Sequence, residues 1–546
     1  CAGRQIWHTG GTFIVYVPAK TFTMKHLSGL DSAFLHLESP EMPMHIGSLH
    51  VLDLPPGYSG DFFEDTKANV QQRLHMAEVF TRKLALMPLD ISNPVWVEDE
   101  DIDIDYHVRH VSLPKPGSNR QLQQYVARLH SSLLDRSRPL WEMFVIDGLK
   151  SGQVGMYIKV HHAGIDGQAG VQVAKAIFDL EANARVIKPP RPRARRNQYQ
   201  LGIAELLGAA LRNTAQQSVG LVRSIPLLAR AAREAIIAQK DENGKRLWAI
   251  PKGIRVFAPR TVLNVAITNQ RTFAGRTVPL SEGKFIAKAL GVPLNDVVLA
   301  TTAGGLRTFL RENNELPEKA LSAAVPVSLR QEGDTSANNQ VSMVSMSLAT
   351  EVADRMERVR AIHASSEKTK AAMGRFKSAI PIDFPLPAAP WLMSALASLF
   401  SRSRLANVMP PLANLVVSNV AGIPVQLYFT GASMVCYYPV SIPAHGMALN
   451  VTVQSYNGRL DYGLIACRRA LPDIDELGDA MLAEHRKLLE MAQQMAQMQA
   501  SGPQAAAPAS HKVPAKSAPA KKRSRRATVL KAVPSSARPE VTAAAA

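Results

Sequence analysis

The run His161-His162-Ala163-Gly164-Ile165-Asp166-Gly167, an HHxxxDG motif, constrains this chain more than any other feature. Histidine is scarce here, at 15 of 546 residues, so the pattern should arise by chance in only about one such chain in a thousand. The motif gathers a candidate general base, a neighbouring histidine, a carboxylate and a turn-forming glycine within seven positions. A cluster of this kind is typical of a functional site.

The sequence before the motif predicts a β-hairpin. Residues 139–146 and 153–160 are rich in apolar, β-branched and aromatic side chains, and Asp147-Gly148 between them favours a turn. Side chains alternate along a strand, so one histidine should face a cavity and the other should face packing. We expect His162 to be the base and His161 its structural neighbour. The alternative is a pair of strand-end histidines that only satisfy backbone groups.

After the motif, residues 168–180 carry apolar side chains at helical spacing and predict a helix. Asp166 just before it has two compatible interpretations. It is either the helix N-cap or a carboxylate that holds the loop rigid and orients the histidine. Gly167 permits the tight backbone between the strand and the helix.

Other catalytic signatures are missing from the sequence. It has no HExxH or other zinc-ligand spacing, no GxSxG, no P-loop and no GxGxxG after a strand. Cys1, Cys436 and Cys467 form no CxxC and suit a reducing compartment. We therefore expect no metal and no cofactor. A histidine base without an evident nucleophile predicts direct transfer, in which a deprotonated acceptor hydroxyl attacks a bound activated carbonyl.

Further motifs carry a family resemblance over about residues 25–486. In order, they are Leu27-Ser28-Gly29-Leu30-Asp31, Pro43-Met44-His45-Ile46-Gly47, Trp96-Val97-Glu98-Asp99, His107-Val108-Arg109, Pro139-Leu140-Trp141, the HHxxxDG run, Asn295-Asp296, Pro326-Val327-Ser328-Leu329-Arg330 and Ser418-Asn419-Val420. Together they resemble the bacterial wax ester synthase/acyl-CoA:diacylglycerol acyltransferase family. HHxxxDG alone is shared more widely, and the ordered set is more specific.

The resemblance implies an α/β (α+β) fold with two lobes, similar to chloramphenicol acetyltransferase. Each lobe would have a mixed sheet flanked by helices, and an active-site tunnel would run between the lobes. It also implies that His162 is the general base and that Asp166 makes a structural salt bridge, for which Arg330 and Arg109 are both candidates.

Two further motifs would line or support the substrate tunnel in such a fold. They are Pro139-Leu140-Trp141 and the pair Asn295-Asp296. For Asn295-Asp296, capping of a helix that starts before Val297 is an equally good interpretation.

Length and composition predict the organisation. We expect a leader extension at 1–23 before a start at Met24, and a first lobe with the HHxxxDG motif at 24–185. A basic linker with amphipathic helices follows at 186–255, then a second lobe at 256–497 and a disordered basic tail at 498–546. Residues 501–546 hold five Lys and four Arg against one Glu, within a net charge of +18. This composition is typical of disorder.

The predicted activity is O-acyl transfer from acyl-CoA to diacylglycerol or a long-chain fatty alcohol, with acyl-CoA as substrate. A related condensation with another acceptor or a carrier-bound donor is one alternative. A non-catalytic lipid-inclusion coat is another, although a coat has no use for the intact HHxxxDG motif. We expect a cytoplasmic protein, with peripheral contact to the inner membrane or lipid inclusions as an open alternative. No nucleic-acid motif accompanies the basic tail, so no specific nucleic-acid partner is expected.

Overall fold

The computed structural model describes residues 6–9, 12–15, 25–27, 29–85, 93–165, 167–183, 185–189, 257–328, 341–376, 399 and 404–501. The described strands lie within Cys1–Ala496, which forms one compact unit, and Gln497–Ala546 forms a second unit. In chain order the strands are β1 (Ile6–Thr9), β2 (Thr12–Val15), β3 (Lys25–His26), β4 (His45–Asp53), β5 (Arg82–Ala85), β6 (Val95–Glu98), β7 (Val108–Ser112), β8 (Trp141–Asp147), β9 (Val154–His161), β10 (Arg271–Pro279), β11 (Ser322–Ser328), β12 (Val341–Ser347), β13 (Leu415–Val420), β14 (Tyr428–Phe429), β15 (Ala432–Val440), β16 (Leu449–Tyr456) and β17 (Arg459–Cys467). The helices are α1 (Gly29–Leu37), α2 (Phe62–Arg73), α3 (Glu78–Thr81), α4 (Ile104–His107), α5 (Asn119–His130), α6 (Gly167–Ile177), α7 (Leu280–Leu290), α8 (Leu294–Glu312), α9 (Arg355–Phe376) and α10 (Ile474–Ser501).

Two six-stranded mixed sheets, flanked by helices, form the framework. The first sheet has the order β14-β15-β4-β9-β8-β7, and the second has the order β10-β17-β16-β13-β11-β12. Only the pair β7–β8 is parallel in the first sheet, whereas β13 runs parallel to both β11 and β16 in the second. A three-stranded sheet, β3-β6-β5, and the ribbon β1–β2 complete the described strands. The predicted class of mixed sheets with flanking helices is confirmed.

The lobes predicted from chain order are not the same as the sheets. Strands β14 and β15 lie inside the predicted second lobe, 256–497, yet β15 pairs antiparallel with β4 and so belongs to the first sheet. The second half of the chain therefore completes the sheet of the first half. Alternating hydrophobicity marks these residues as strands, but it does not encode which sheet edge they join.

Two hairpins lie where the sequence predicts them. β8 and β9 pair antiparallel around the turn that contains Gly148, whose φ is +78°. β16 and β17 are joined by Asn457-Gly458, and both residues have positive φ, as a tight two-residue hairpin turn requires. The helix predicted after the motif is α6, which ends at Ile177. There the Arg73 guanidinium donates to the Ile177 carbonyl and pairs with buried Asp179 at 2.6 Å.

A shared apolar core joins the two sheets. Leu49 on β4, Phe144 on β8 and Val126 on α5 pack in one buried cluster with Phe273 on β10 and Ile465 on β17. Because side chains from both sheets fill this cluster, neither sheet buries its apolar face independently of the other.

Some predicted segments lie outside the described residues. They include residues 190–255 of the predicted linker with amphipathic helices and the predicted tail from residue 502 onward. Within the described residues, no single helix is long and apolar enough to cross a membrane. In the same described residues, the pair α7 and α8 meets that criterion jointly, and it is bent by 100°. Much of α8 is core, including buried Val298, Leu306 and Leu310.

A buried carboxyl group links the sheets. Asp461 on β17 accepts hydrogen bonds from the Thr277 hydroxyl at 2.6 Å and from the Tyr437 amide of β15 at 2.8 Å. Burial raises the pKa of Asp461 to about 6, although these two hydrogen bonds and Arg459 act to lower it. The folded protein therefore favours the protonated form more than the unfolded chain does.

This shift predicts a pH-dependent stability. The protonated Asp461 stabilises the fold fully below pH 4, and the contribution disappears as pH rises through about 6. Over that window the loss should reach up to about 3 kcal/mol. Urea unfolding of the wild-type protein and of Asp461→Asn, from pH 4 to 7, measures it as the difference between the two curves. A constant difference across this range would contradict the assignment.

Candidate active site

The two histidines of the motif stand where β9 ends. His161 is the last residue of the strand, and His162 begins a single 3₁₀ turn, His162–Gly164. Both backbones are held from outside, since the His161 amide donates to the Leu140 carbonyl at 3.0 Å and the His162 amide donates to the Met44 carbonyl at 2.9 Å. The turn therefore has a fixed position between β8 and the start of β4.

His161 is fully buried, and its contacts define its tautomer. Its Nδ1 accepts the Ala163 amide at 3.1 Å, so the ring proton lies on Nε2. That Nε2 lies 3.2 Å from a carboxylate oxygen of Glu38, to which it donates. His161 is thus a bridge between Glu38 and the turn that carries His162, with no nitrogen left for a substrate.

Glu38 is a residue that the sequence analysis missed. One of its oxygens also accepts the Met44 amide at 3.0 Å, and the other pairs with Arg136 at 2.8 Å. Burial raises the pKa of this carboxyl, but the hydrogen bond and electrostatic interaction with His161, the charge of Arg136 and the Met44 amide together lower it to about 2. Glu38 is therefore ionised at neutral pH. It lies 123 positions from His161 in sequence, and no local pattern around it indicates the pairing.

His162 has a different environment. Its ring stacks on Phe34 of α1, with centroids 4.0 Å apart and planes at 16°. Its Nδ1 is buried and makes no hydrogen bond of ordinary geometry within the described part of the chain, whereas the residue as a whole is partly exposed. Nε2 is therefore the nitrogen available to a bound molecule. His161 is thus fully buried, whereas His162 is partly exposed.

Burial also determines the charge of His162. It lowers the pKa of the ring, the residue's own backbone carbonyl partly opposes this shift, and neighbouring His161 adds a smaller lowering, which together give a pKa of about 4. The ring is consequently neutral at pH 7, so a lone pair is free to accept a proton. A neutral, partly exposed imidazole on a rigid turn can act as a general base.

The Pro139-Leu140-Trp141 motif braces this turn from the neighbouring strand. The carbonyl of Leu140 holds His161, and the Leu140 side chain packs in one buried cluster with Ala163. Trp141 is buried, donates its indole N–H to the Phe80 carbonyl at 3.2 Å and stacks on His107 with centroids 4.3 Å apart. The Trp141 amide donates to the Pro139 carbonyl at 2.9 Å.

Asn295 and Asp296 stand at the start of α8, but neither caps it. The N-cap is Pro293, which makes no side-chain cap hydrogen bond, so the capping interpretation is wrong. Asp296 is fully buried, and its carboxylate lies 2.7 Å from Nδ1 of His363 on α9. Asn295 lies 3.5 Å from the Asn419 amide at the end of β13. The first turn of α8 therefore contacts α9 through Asp296 and β13 through Asn295.

Of the three residues in the predicted salt bridge, the structure describes only Arg109. Asp166 and Arg330 are not among the described residues, so the predicted salt bridge stays a prediction. Arg109 lies 3.4 Å from Glu142 and donates to the Tyr106 carbonyl at 2.8 Å. Gly167 is the first residue of α6. Among the residues that the structure describes, no group of three His, Cys, Asp or Glu is arranged to hold a metal ion.

Known proteins share both halves of this arrangement. The model of the wax ester synthase/diacylglycerol acyltransferase catalytic domain matches residues 27–298, and that of the WS/DGAT C-terminal domain matches residues 337–488. The chain is 37% identical over 454 residues to a Mycobacterium tuberculosis protein named as a diacylglycerol O-acyltransferase, covering 83% of this chain and 96% of the relative. It is 32% identical to O-acyltransferase WSD of Acinetobacter baylyi, covering 83% and 94%.

A solved structure agrees with these matches. The wax ester synthase/diacylglycerol acyltransferase of Marinobacter aquaeolei VT8 superposes with a TM-score of 0.61 at 31% sequence identity. The superposition covers 86% of this chain and 99% of that structure.

Proposed function

The chain belongs to the wax ester synthase/diacylglycerol acyltransferase family, and we propose that it is an acyl-CoA-dependent O-acyltransferase. The acyl group is long-chain, and the acceptor is the hydroxyl of diacylglycerol or of a long-chain fatty alcohol. The observation that carries the proposal is the neutral, partly exposed His162 on a turn braced by buried His161 and Glu38.

The reaction proceeds by direct transfer. Nε2 of His162 takes the proton of the acceptor hydroxyl while that oxygen attacks the thioester carbonyl carbon. The C–S bond then breaks, and the thiolate of coenzyme A leaves and recovers the proton from His162. The products are an ester and free coenzyme A, and no acyl-enzyme forms. A water-excluding tunnel between the lobes protects the thioester from hydrolysis.

The protein residues supply orientation and the correct protonation state. Phe34 holds the plane of the His162 ring, and the His161–Glu38 pair fixes the turn below it. Because the pKa of His162 is lowered to about 4, the ring is in its base form at neutral pH. An imidazole of low pKa is a weak base, but His162 is held in a fixed position. The acceptor hydroxyl becomes more acidic as its oxygen attacks the carbonyl carbon, and the proton moves to His162 only then.

The place of action follows from the substrates. Diacylglycerol and fatty alcohols dissolve in lipid phases, whereas acyl-CoA is supplied from water. We therefore propose a cytoplasmic protein that contacts the inner membrane or lipid inclusions peripherally, and we propose no cofactor beyond the acyl-CoA substrate.

The purified protein tests the reaction class. It is incubated with palmitoyl-CoA and either dipalmitoylglycerol or hexadecanol, and free thiol and lipid products are followed. We expect triacylglycerol or wax ester from the wild-type protein, and a rate lower by at least about 10²–10⁴-fold from His162→Ala. If a folded wild-type protein released no thiol with either alcohol, an amine acceptor or a carrier-bound donor would replace this proposal.

Glu38 is proposed as a positioning residue. Glu38→Ala should lower kcat by about 10–100-fold with little change in KM for acyl-CoA, because the turn under His162 loses its anchor. Glu38→Gln keeps an oxygen for His161 and the Met44 amide, so it should recover most of the rate. Steady-state kinetics of both variants, with thermal unfolding as a folding control, measures this. Equal loss in the two variants, or none in Glu38→Ala, would contradict the role.

A further inference from the structure

An exposed apolar surface lies on the second half of the chain, away from the HHxxxDG turn in sequence. Its members are large apolar side chains with more than half of their area exposed. They are Val408 at 79%, Leu412 at 66%, Phe257 at 54%, and Met343 and Met409 at 52% each. Large apolar side chains that gather on one part of a surface usually mark a contact site for a protein or a lipid.

Hydrogen bonds hold the three segments of this apolar surface together. The Ala258 amide donates to the Pro411 carbonyl at 2.7 Å, which fixes Phe257 beside Leu412. The Arg260 guanidinium donates to the carbonyls of Ala406 and Met409. The apolar side chains are therefore presented by a folded framework.

The edge strand β12 contributes the remaining member. The Ser345 hydroxyl contacts the Leu412 carbonyl at 3.5 Å, and Met343 lies two positions along β12, on the same face as Ser345. β12 is the outer strand of the second sheet, so its exposed residues lie at the edge of that sheet and not at its centre.

The apolar surface also borders the face by which the second sheet meets the first. Across the second sheet, Ser345 pairs with Ala324, Ala324 with Val416, and Val416 with Asn450, and paired residues share a face. Asn450 donates to the carbonyl of Ile442, which follows β15 of the first sheet. A lipid held at the apolar surface would thus lie at the rim of the region between the sheets.

The three segments that carry the apolar surface contain charges of one sign only. Residues 257–270, 341–350 and 404–420 contain Arg260 and Arg404 and no acidic residue, although the chain has 45 Asp and Glu. Both arginines are exposed. Apolar side chains flanked by cations match a layer whose apolar interior lies under anionic headgroups.

We propose that the apolar surface docks the protein onto a phospholipid layer with anionic headgroups. Phe257, Met343, Val408, Met409 and Leu412 enter the acyl region, and Arg260 and Arg404 meet the headgroup phosphates. This extends the proposed function, because a lipid layer is where an apolar acceptor is dissolved, but the docking itself does not depend on catalysis.

Vesicle binding by the full chain tests the docking. The vesicles contain equal parts of phosphatidylcholine and phosphatidylglycerol, and cosedimentation gives the affinity. The double variant Val408→Asp/Leu412→Asp should bind about tenfold or more weakly than wild type. Val186→Asp is the matched control, because Val186 is 96% exposed outside the apolar surface, and it should bind as wild type does.

Two outcomes would overturn the proposal. One is unchanged vesicle binding by the double variant. The other is a wild-type dimer in solution that the double variant abolishes while vesicle binding stays the same, since a second copy of the chain would then be the partner.

A fluorescent label at position 408, in place of the aspartate substitutions, gives a second measurement of insertion. Cys436 and Cys467 are buried, so Val408→Cys in a Cys1→Ser background can be labelled with an environment-sensitive fluorophore. Its emission should shift to the blue when anionic vesicles are added, and the same label at Val186→Cys should not respond. No shift at position 408 would contradict insertion.

Soluble substrates separate this proposal from the proposed function. With octanoyl-CoA and butanol, both dissolved in water, the double variant should retain the wild-type rate, while its rate on hexadecanol in vesicles should fall with its binding. If wild type transferred no acyl group to any alcohol, the proposed function would fail and the vesicle result would still decide the docking.

Discussion

The hydrogen bond between His161 and Glu38 is the interaction on which the site depends. It puts the proton of His161 on Nε2, which leaves Nδ1 to accept the Ala163 amide and so tightens the turn that carries His162. Glu38 also holds the Met44 amide, and the Met44 carbonyl holds the His162 amide. A buried carboxylate therefore connects α1, β4 and the motif in one closed set of contacts. Two of its partners, the Nε2–H of His161 and the Met44 amide, are buried donors that loss of the carboxylate would leave unpaired.

The two histidines have distinct roles because their contacts differ. His161 has both nitrogens engaged and is fully buried, so it serves as structure. His162 rests on Phe34 and keeps Nε2 available, and burial keeps its ring neutral. The surrounding fold supports this division, because strands from both halves of the chain form the first sheet and Asp461 ties that sheet to the second.

Local sequence predicted much of this architecture. The hairpin of β8 and β9, the Asn457-Gly458 turn and the helix after the motif follow from short-range patterns, and the structure confirms them. Glu38 escaped prediction because its partner is 123 positions away. The pairing of Asp296 with His363 and the placement of β15 beside β4 escaped for the same reason. Periodicity identifies elements, whereas tertiary packing decides which of them meet.

The central claim is that transfer depends on a histidine kept neutral by burial. The pH dependence of a single turnover measures this most directly, with the enzyme loaded with acyl-CoA and mixed with an alcohol acceptor. The account predicts a rate that is flat from pH 8 to about 5 and falls by half near pH 4, where His162 is protonated. A fall centred near pH 6.5, the ordinary value for a solvated imidazole, would contradict it.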